Sequence, residues 1–447
     1  MMSSFWHEFV SLDLPPILTA LFSSLSCALI GNYLVLRRQS LMGDAISHAV
    51  LPGIVLAFLI SGTRSSFAVF IGASIAGICS ALLIEVIRKI GQVETGASMG
   101  VVFSIFFALG VLLMEQAAAN NIDLDADCLL HGQLETIFWL PPQNVFEILR
   151  LSTLSQLPNE VFVSVAVFVF ISIFIILFYK ELKLFSFDEA LAKTLGFNPS
   201  VLYYVFISLT AFSVVAAFKA VGSILVIAMI ICPATTARLF TDKLKTQILL
   251  SMFFTIIATI AGYVCGAFMP IWLGFENSIN TAGMISVISG LLLLMSVFLA
   301  PRYGILAQKI SRHRLQLQVI REDILGLIYR VEETKKGITK DEIVKTLRKF
   351  SSDYFIKNAY SSLLKNGLIS ERNDTVILTE AGNIGAVPLL RKHRLWETYL
   401  VNRVGLNPDH VHNTAEALEH YTDQELTEKL QERVKNPETD PHGKKIP

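Results

Sequence analysis

Residues 388 to 420 contain His393, Glu397, His412, Glu416, Glu419 and His420, a high density of side chains able to ligate a metal ion. On a helix, His393 and Glu397 share a face, and Glu416, Glu419 and His420 stand at i, i+3 and i+4, so three ligands can point one way. Imidazoles and carboxylates without thiolate favour manganese, ferrous iron or zinc over copper(I). The alternative is an exposed acidic helix with incidental histidines. A second pair lies far upstream, in Gly43-Asp44-Ala45-Ile46-Ser47-His48-Ala49-Val50-Leu51-Pro52-Gly53, where Asp44 and His48 are one helical turn apart. A carboxylate with an imidazole suits a divalent transition metal; otherwise Asp44 caps a helix and His48 hydrogen-bonds within a bundle. Asp123, Asp125, Asp127 and His131 form a third acidic group. It either attracts cations or is a solvated loop, and it lacks the Gly and Glu of a calcium loop.

The elements that must position these residues differ sharply along the chain. Its 447 residues are 53% hydrophobic, and only 17% are charged, where soluble chains carry about 25%. An ordinary soluble protein is excluded. The net charge of zero is unevenly spread: residues 1 to 300 hold 13 basic and 17 acidic side chains, and residues 301 to 447 hold 24 and 20. The five cysteines, Cys27, Cys79, Cys128, Cys232 and Cys265, are scattered singly and read as packing residues. Met1 to Pro16 has no basic segment and carries Glu8 and Asp13, so it does not read as a cleavable signal peptide.

Apolar runs of about 17 to 25 residues can cross a bilayer as helices, since lipid offers the backbone no hydrogen-bond partner. Nine such runs are expected, over 15–36, 46–61, 67–87, 97–118, 160–179, 200–217, 219–240, 246–268 and 281–300. The second is short and interrupted by Pro52 and Gly53. Basic residues mark cytoplasmic loops, and Arg37/Arg38, Arg88/Lys89, Lys180/Lys183/Lys193, Arg238/Lys243/Lys245 and Arg302/Lys309 all fall on one side. The other side has little beyond Arg64, Arg150 and Lys219. An odd number of spans then places the N-terminus outside and the charged C-terminal region in the cytoplasm, in an all-helical polytopic membrane domain.

After Pro301 the hydropathy falls, and Tyr303 to Gln318 reads as a basic connector able to lie along anionic headgroups. From Glu322 a helical pattern buries Ile324, Leu327, Ile328 and Val331, and Gly337 ends it. A second helix, about Lys340 to Lys349, buries Ile343, Val344 and Leu347. Ser351 or Ser352 can cap a third, which ends at Gly367 as a left-handed stop. Its apolar face carries Ile356, Ala359, Leu363 and Leu364; its other face carries Lys357, Asn358, Ser361 and Lys365. Two short strands around a turn at Asn373-Asp374 complete a winged helix-turn-helix order. Ser352, Lys357, Asn358, Ser361 and Arg372 are the side chains expected to reach DNA phosphates and base edges, although winged helices also serve as protein-contact modules.

Residues 31 to 56, with Gly43 to Gly53 at their centre, resemble the signature of the ABC-type metal permeases for manganese, zinc and iron. Phe187-Asp188-Glu189-Ala190-Leu191-Ala192-Lys193-Thr194-Leu195-Gly196 and the stretch from Val221 to Arg238 extend the likeness to about residues 10 to 300. The resemblance implies a pore made with a second permease copy or paralogue, a separate ATPase subunit, and an extracytoplasmic metal-binding protein. It also implies contact of Asp44 and His48 with the ion in transit, and an ATPase-docking helix using Asp188, Glu189, Ala190 and Gly196. No phosphate loop of the form Gly-x-x-x-x-Gly-Lys-Ser/Thr occurs, so ATP hydrolysis belongs to another polypeptide. No nucleophile and base constellation supports a membrane-bound enzyme.

Pro388 to Leu400, Val411 to His420 and Asp440 to Pro447 are similar to the diphtheria-toxin-repressor family, over about residues 320 to 447. That likeness implies a metal-activated homodimeric repressor binding operator DNA, with Asp323, His393, Glu416, Glu419 and His420 at the activating site. The manganese branch has Glu where this chain has Gly326, and the iron branch has Cys where it has Glu416, leaving the corepressor between Fe2+ and Mn2+, with Zn2+ also open. The chain stops at Pro447 without an SH3-like domain, so an ancillary site using Glu397 and His412 would lose ligands. The expected domains are 1–300 permease, 301–320 basic linker, 321–385 winged helix, and 386–447 metal-binding and dimerisation domain. Permease and repressor together resemble the fused proteins of chlamydial metal-uptake clusters, which points to iron, with repression of uptake after cleavage near 301 to 320. The rival reading makes the tail a cytoplasmic metal sensor that gates transport without touching DNA.

Overall fold

A computed structural model describes residues 8–61, 66–118, 132, 134–139, 156–196, 198–274, 279–372 and 374–447. The chain folds as two compact units, 1–307 and 308–447.

The first unit is helical. Among the described residues, nine helical segments are long and apolar enough to span a membrane, beginning with Phe9–Leu36 and ending with Thr281–Leu299. The main helices are α1 (Leu14–Leu36), α2 (Met42–Ala49), α3 (Leu51–Ser61), α4 (Ser66–Ile90), α5 (Thr95–Ala118) and α6 (Asn159–Leu177). Short α7 (Tyr179–Phe187) and α8 (Glu189–Thr194) lead to α9 (Pro199–Phe240), α10 (Leu244–Ala267) and α11 (Thr281–Leu299). The second span is divided between α2 and α3 because Pro52 has no N–H to give the carbonyl of His48. Two spans, Pro199–Phe218 and Ala220–Phe240, share α9, which breaks at Gly222 with φ 75° and ψ 169°.

Helix α1 is the centre of this unit, buried along most of its length. Its Asn32 is tied to α10 by hydrogen bonds to Ser251 at 2.6 Å and from Gln247 at 3.1 Å, the polar adhesion expected where lipid gives helices no hydrophobic drive to associate. Gly31 permits the approach: a Cβ there would lie 2.0 Å from the carbonyl oxygen of Ile230. At one end of the bundle Arg37 donates to Phe185 O at 2.8 Å and stacks over that ring at 3.7 Å. There too the Glu85 carboxylate is paired with Arg88 at 2.6 Å and Lys89 at 3.1 Å. At the other end Tyr263 donates to Asp13 at 2.9 Å, and Glu135 accepts from the backbone N–H of Thr281 at 2.7 Å.

The second unit opens with α12 (Ile305–Glu333), followed by α13 (Lys340–Leu347), α14 (Asp353–Lys365), β1 (Ile369–Arg372), β2 (Thr375–Leu378), α15 (Glu380–Tyr399), α16 (His412–Glu419) and α17 (Gln424–Arg433). The basic segment expected as a linker is helical from Ile305, since no Gly or Pro interrupts its strong helix formers before Gly326. A capping box starts α13, with Thr339 and Glu342 exchanging side-chain and backbone hydrogen bonds. Ser352 is the N-cap of α14 but makes no side-chain cap bond. Gly367, at φ 67°, ends that helix region as expected. The strands pair antiparallel with Ile369 opposite Leu378 and Arg372 opposite Thr375. Residues 308–447 form one compact unit, in which Ala386 of α15 joins the core of Ile324, Ile328, Ile343, Ile356 and Leu363.

Candidate metal centres

In the second unit α12, α15 and α16 bring six ligand-bearing residues into two groups. Asp323, Glu419 and His420 form one, and His393, Glu397 and His412 the other; within each, the ligand atoms lie within 4.8 Å of one another. These are oxygen and imidazole donors without sulfur, a set suited to Mn2+, Fe2+ or Zn2+. Their burial supports the fit, since Glu419 and Glu397 are 2% and 3% exposed and charges placed there need a cationic partner.

In the first group His420 sits between two acids of α12. Its Nε2 is 3.0 Å from Asp323 Oδ1, and its Nδ1 is 2.7 Å from Glu322 Oε2. Glu419 Oε1 lies 3.9 Å from His420 Nε2. Burial alone would lower the histidine's pKa, but the bonds to Asp323 and Glu322, with the charges of Asp323 and Glu419, push it up to about 10. Glu322 is raised by burial and drawn below its usual range by His420 and Gln318. A polar cavity of about 390 Å³ opens on this group, lined by Glu322, Lys392, Glu419 and His420 among others.

In the second group His393 Nε2 is 3.1 Å from Glu397 Oε1 and 3.0 Å from His412 Nδ1, which is itself 3.0 Å from Glu397 Oε1. His393 Nδ1 is 2.6 Å from Glu419 Oε2, so Glu419 belongs to the surroundings of both groups. Burial opposes charge on His393, and hydrogen bonds to Glu397 and Glu419 outweigh it and raise its pKa. Burial would raise Glu397, and the bonds from His393 and His412 hold it far below the ordinary carboxylate range.

Of the expected activating residues, the structure thus gathers Asp323, Glu419 and His420, and assigns His393 to the neighbouring group with Glu397 and His412. Glu416 joins neither. Its carboxylate faces Arg330 at 3.6 Å, and that guanidinium also lies 3.3 Å from His412 Nε2. Glu322 and Arg330 are the two residues the sequence reading missed. Their neighbourhood could have flagged them: Glu322 adjoins Asp323, and Arg330 lies one turn beyond Gly326.

In the first unit Asp44 and His48 meet on α2, with Nε2 3.3 Å from Oδ1 and side chains 42% and 23% exposed. The His48 ring packs edge-on against Phe103 at 5.1 Å between centroids. Asp188 caps α8 by accepting from the N–H of Leu191 at 2.9 Å; Ala190 is exposed, and Gly196, at φ 85°, follows the helix. The side chain of Glu189 lies outside the described residues, as do Asp123, Asp125, Asp127 and His131. Ser352, Lys357, Asn358, Ser361 and Arg372 are all exposed around α14 and β1.

Comparison with known proteins agrees with the division of the chain. Residues 12–300 match the model of the ABC 3 transport family, and residues 379–447 match the metal binding and dimerisation domain of the iron dependent repressors. The chain is 34% identical over 303 residues to the zinc transport system membrane protein TroD of Treponema pallidum, covering 68% of this chain and 78% of that protein. It is 32% identical over 300 residues to the manganese transport system membrane protein MntD of Bacillus subtilis, covering 67% and 96%. It resembles PsaBC from Streptococcus pneumoniae, solved in complex with Fab, with a TM-score of 0.54 and 30% identity over 69% of this chain and 100% of that one. With nine apolar spans among its described residues the chain is a multi-pass membrane protein, and a transport component rather than an enzyme. It belongs to the ABC 3 transport family, as a metal permease carrying a metal-dependent repressor domain at its C-terminal end.

Proposed function

We propose that the first unit carries a divalent transition metal ion across the membrane and that the second unit senses the same class of ion in the cytoplasm and represses transcription of the uptake genes. The observation that carries the reading is the convergence of Asp323, Glu419 and His420 beside His393, Glu397 and His412, on the unit that also exposes Lys357 and Asn358 on α14. Bound metal would supply the cation that satisfies the buried acids and ties α12 to α15 and α16; Asp323, Glu419 and His420 would hold it. Iron is the ion we favour, the repressor match being to an iron dependent family, while zinc and manganese are named for the permease relatives. In the permease, Asp44 and His48 would touch the travelling ion. They offer two ligands, so water or a second permease copy completes its shell. Energy comes from a separate ATPase that docks at α8 around Asp188, Glu189, Ala190 and Gly196, and the ion from an extracytoplasmic binding protein.

The second unit would act on operator DNA as a dimer, through Ser352, Lys357, Asn358, Ser361 and Arg372. A tethered repressor reaches little of the chromosome, so release by cleavage belongs to the proposal. Pro301–Gly304, between α11 and α12, is where the backbone leaves helix. The test is DNA binding by residues 308–447, which hold their own core, to the upstream promoter under anaerobic Fe2+, Mn2+, Zn2+ and chelator. Specific binding that requires metal and is lost in Glu419→Gln and His420→Ala supports the reading. A folded fragment that binds metal but no specific DNA would make the unit a regulator of transport instead.

A further inference from the structure

The two metal groups are backed by side chains of opposite charge, and the backing decides which ring nitrogen keeps its hydrogen. A neutral imidazole ligates through the nitrogen that bears none, and the partner of the other nitrogen selects it. Glu322 lies outside the trio of Asp323, Glu419 and His420. As acceptor of the His420 Nδ1–H at 2.7 Å, it holds that hydrogen in place and leaves Nε2, 3.0 Å from Asp323, as the nitrogen that gives up its hydrogen when an ion binds. Glu419 backs His393 in the same sense, accepting from Nδ1 at 2.6 Å and leaving Nε2 toward Glu397 and His412.

His412 is backed in reverse. Its Nε2 lies 3.3 Å from Arg330 Nη1, and a guanidinium can only donate. Nε2 is therefore the acceptor, and the hydrogen of a neutral His412 sits on Nδ1, the atom turned toward Glu397 Oε1 and His393 Nε2. That is the atom His412 would have to offer an ion. Arg330 is held in place by its own Nε–H, which donates to Gly326 O at 3.2 Å, and by Glu416. A Cβ at Gly326 would lie 3.6 Å from Arg330 Nη2, so the guanidinium runs along the bare backbone of that position.

We propose that Glu322 and Arg330 rank the two groups: Asp323, Glu419 and His420 take the ion first, while Arg330 acts as a built-in competitor that keeps His393, Glu397 and His412 weak. The inference rests on the metal-binding reading of this unit. Its test is a Co2+ titration of the full chain in detergent, followed by calorimetry and visible absorption. The step lost in His420→Ala belongs to the first group, the step lost in His412→Ala to the second, and any step surviving both lies elsewhere. Arg330→Gln is expected to tighten the second step at least roughly ten-fold and leave the first unmoved, whereas Arg330→Lys, which keeps a cationic donor, leaves it weak. Glu322→Ala should weaken the first step roughly 10–100-fold, and Glu322→Gln, which keeps an acceptor oxygen, should restore most of it. A second group that fills first in the unaltered chain, or a second step unmoved in a folded Arg330→Gln chain, overturns the ranking. Should Arg330→Gln melt, the Glu322 pair decides, and equal weakening by Ala and Gln goes against it. If neither histidine variant loses a step, it is the metal-binding reading itself that fails.

Discussion

Arg394 is 2% exposed, and its guanidinium meets Glu333 at 2.5 Å, Asp440 at 3.6 Å and the carbonyl of Lys445. One buried cation thus fastens the end of α12 and the last residues of the chain to α15. Removing one partner of such a cluster strands the others, so Arg394→Met should cost about 3–5 kcal/mol, read as a lower thermal midpoint of residues 308–447. An unchanged midpoint would mean the tail is held by other contacts. At this scale the sequence shows which ligand types are available but not which of them come together in the fold. The density of His and Glu between 388 and 420 marked the metal region, but i, i+3 and i+4 spacing speaks only for one helix. Asp323 and Glu322 arrive from α12, 97 and 98 positions before His420. Glu416 shares a helix with Glu419, and Arg330 of α12 engages it instead.

The apolar spans were the most legible elements, since runs of that length have few alternatives to a membrane helix. The nine described spans follow the expected ones, and the interruption foreseen at Pro52 and Gly53 is the join of α2 and α3. Less legible was the join at Gly222, whose φ of 75° and ψ of 169° belong to a region open essentially to glycine. Gly222→Ala should cost about 1–3 kcal/mol, seen as a lower melting temperature of the solubilised chain and reduced metal uptake. Normal melting and uptake would show that α9 tolerates a different path there. The helical reach of α12 back to Ile305 is hidden in the sequence by charge and low hydropathy, which suggest a connector, although the segment is rich in helix formers and free of Gly and Pro before Gly326.

Across the whole molecule, composition alone separated an apolar region from a charged one near residue 300, and the chain folds as two units parted at 307 and 308. What composition could not supply was why they share a chain. On the proposed function, a permease that raises cytoplasmic metal, joined to a unit that binds it, would give uptake a sensor made in equal amount with the carrier. The most direct test measures both activities in the same cells, expressing the full chain with its ATPase and binding-protein partners and a reporter on the uptake promoter. Radiolabelled iron uptake and reporter output would be followed as external iron rises. The account predicts repression with rising iron in the unaltered chain, uptake without repression in His420→Ala, and loss of uptake in His48→Ala with repression restored only when iron enters by another route. Repression that persists in His420→Ala, or uptake that falls with it, would contradict the assignment of transport and sensing to separate sites.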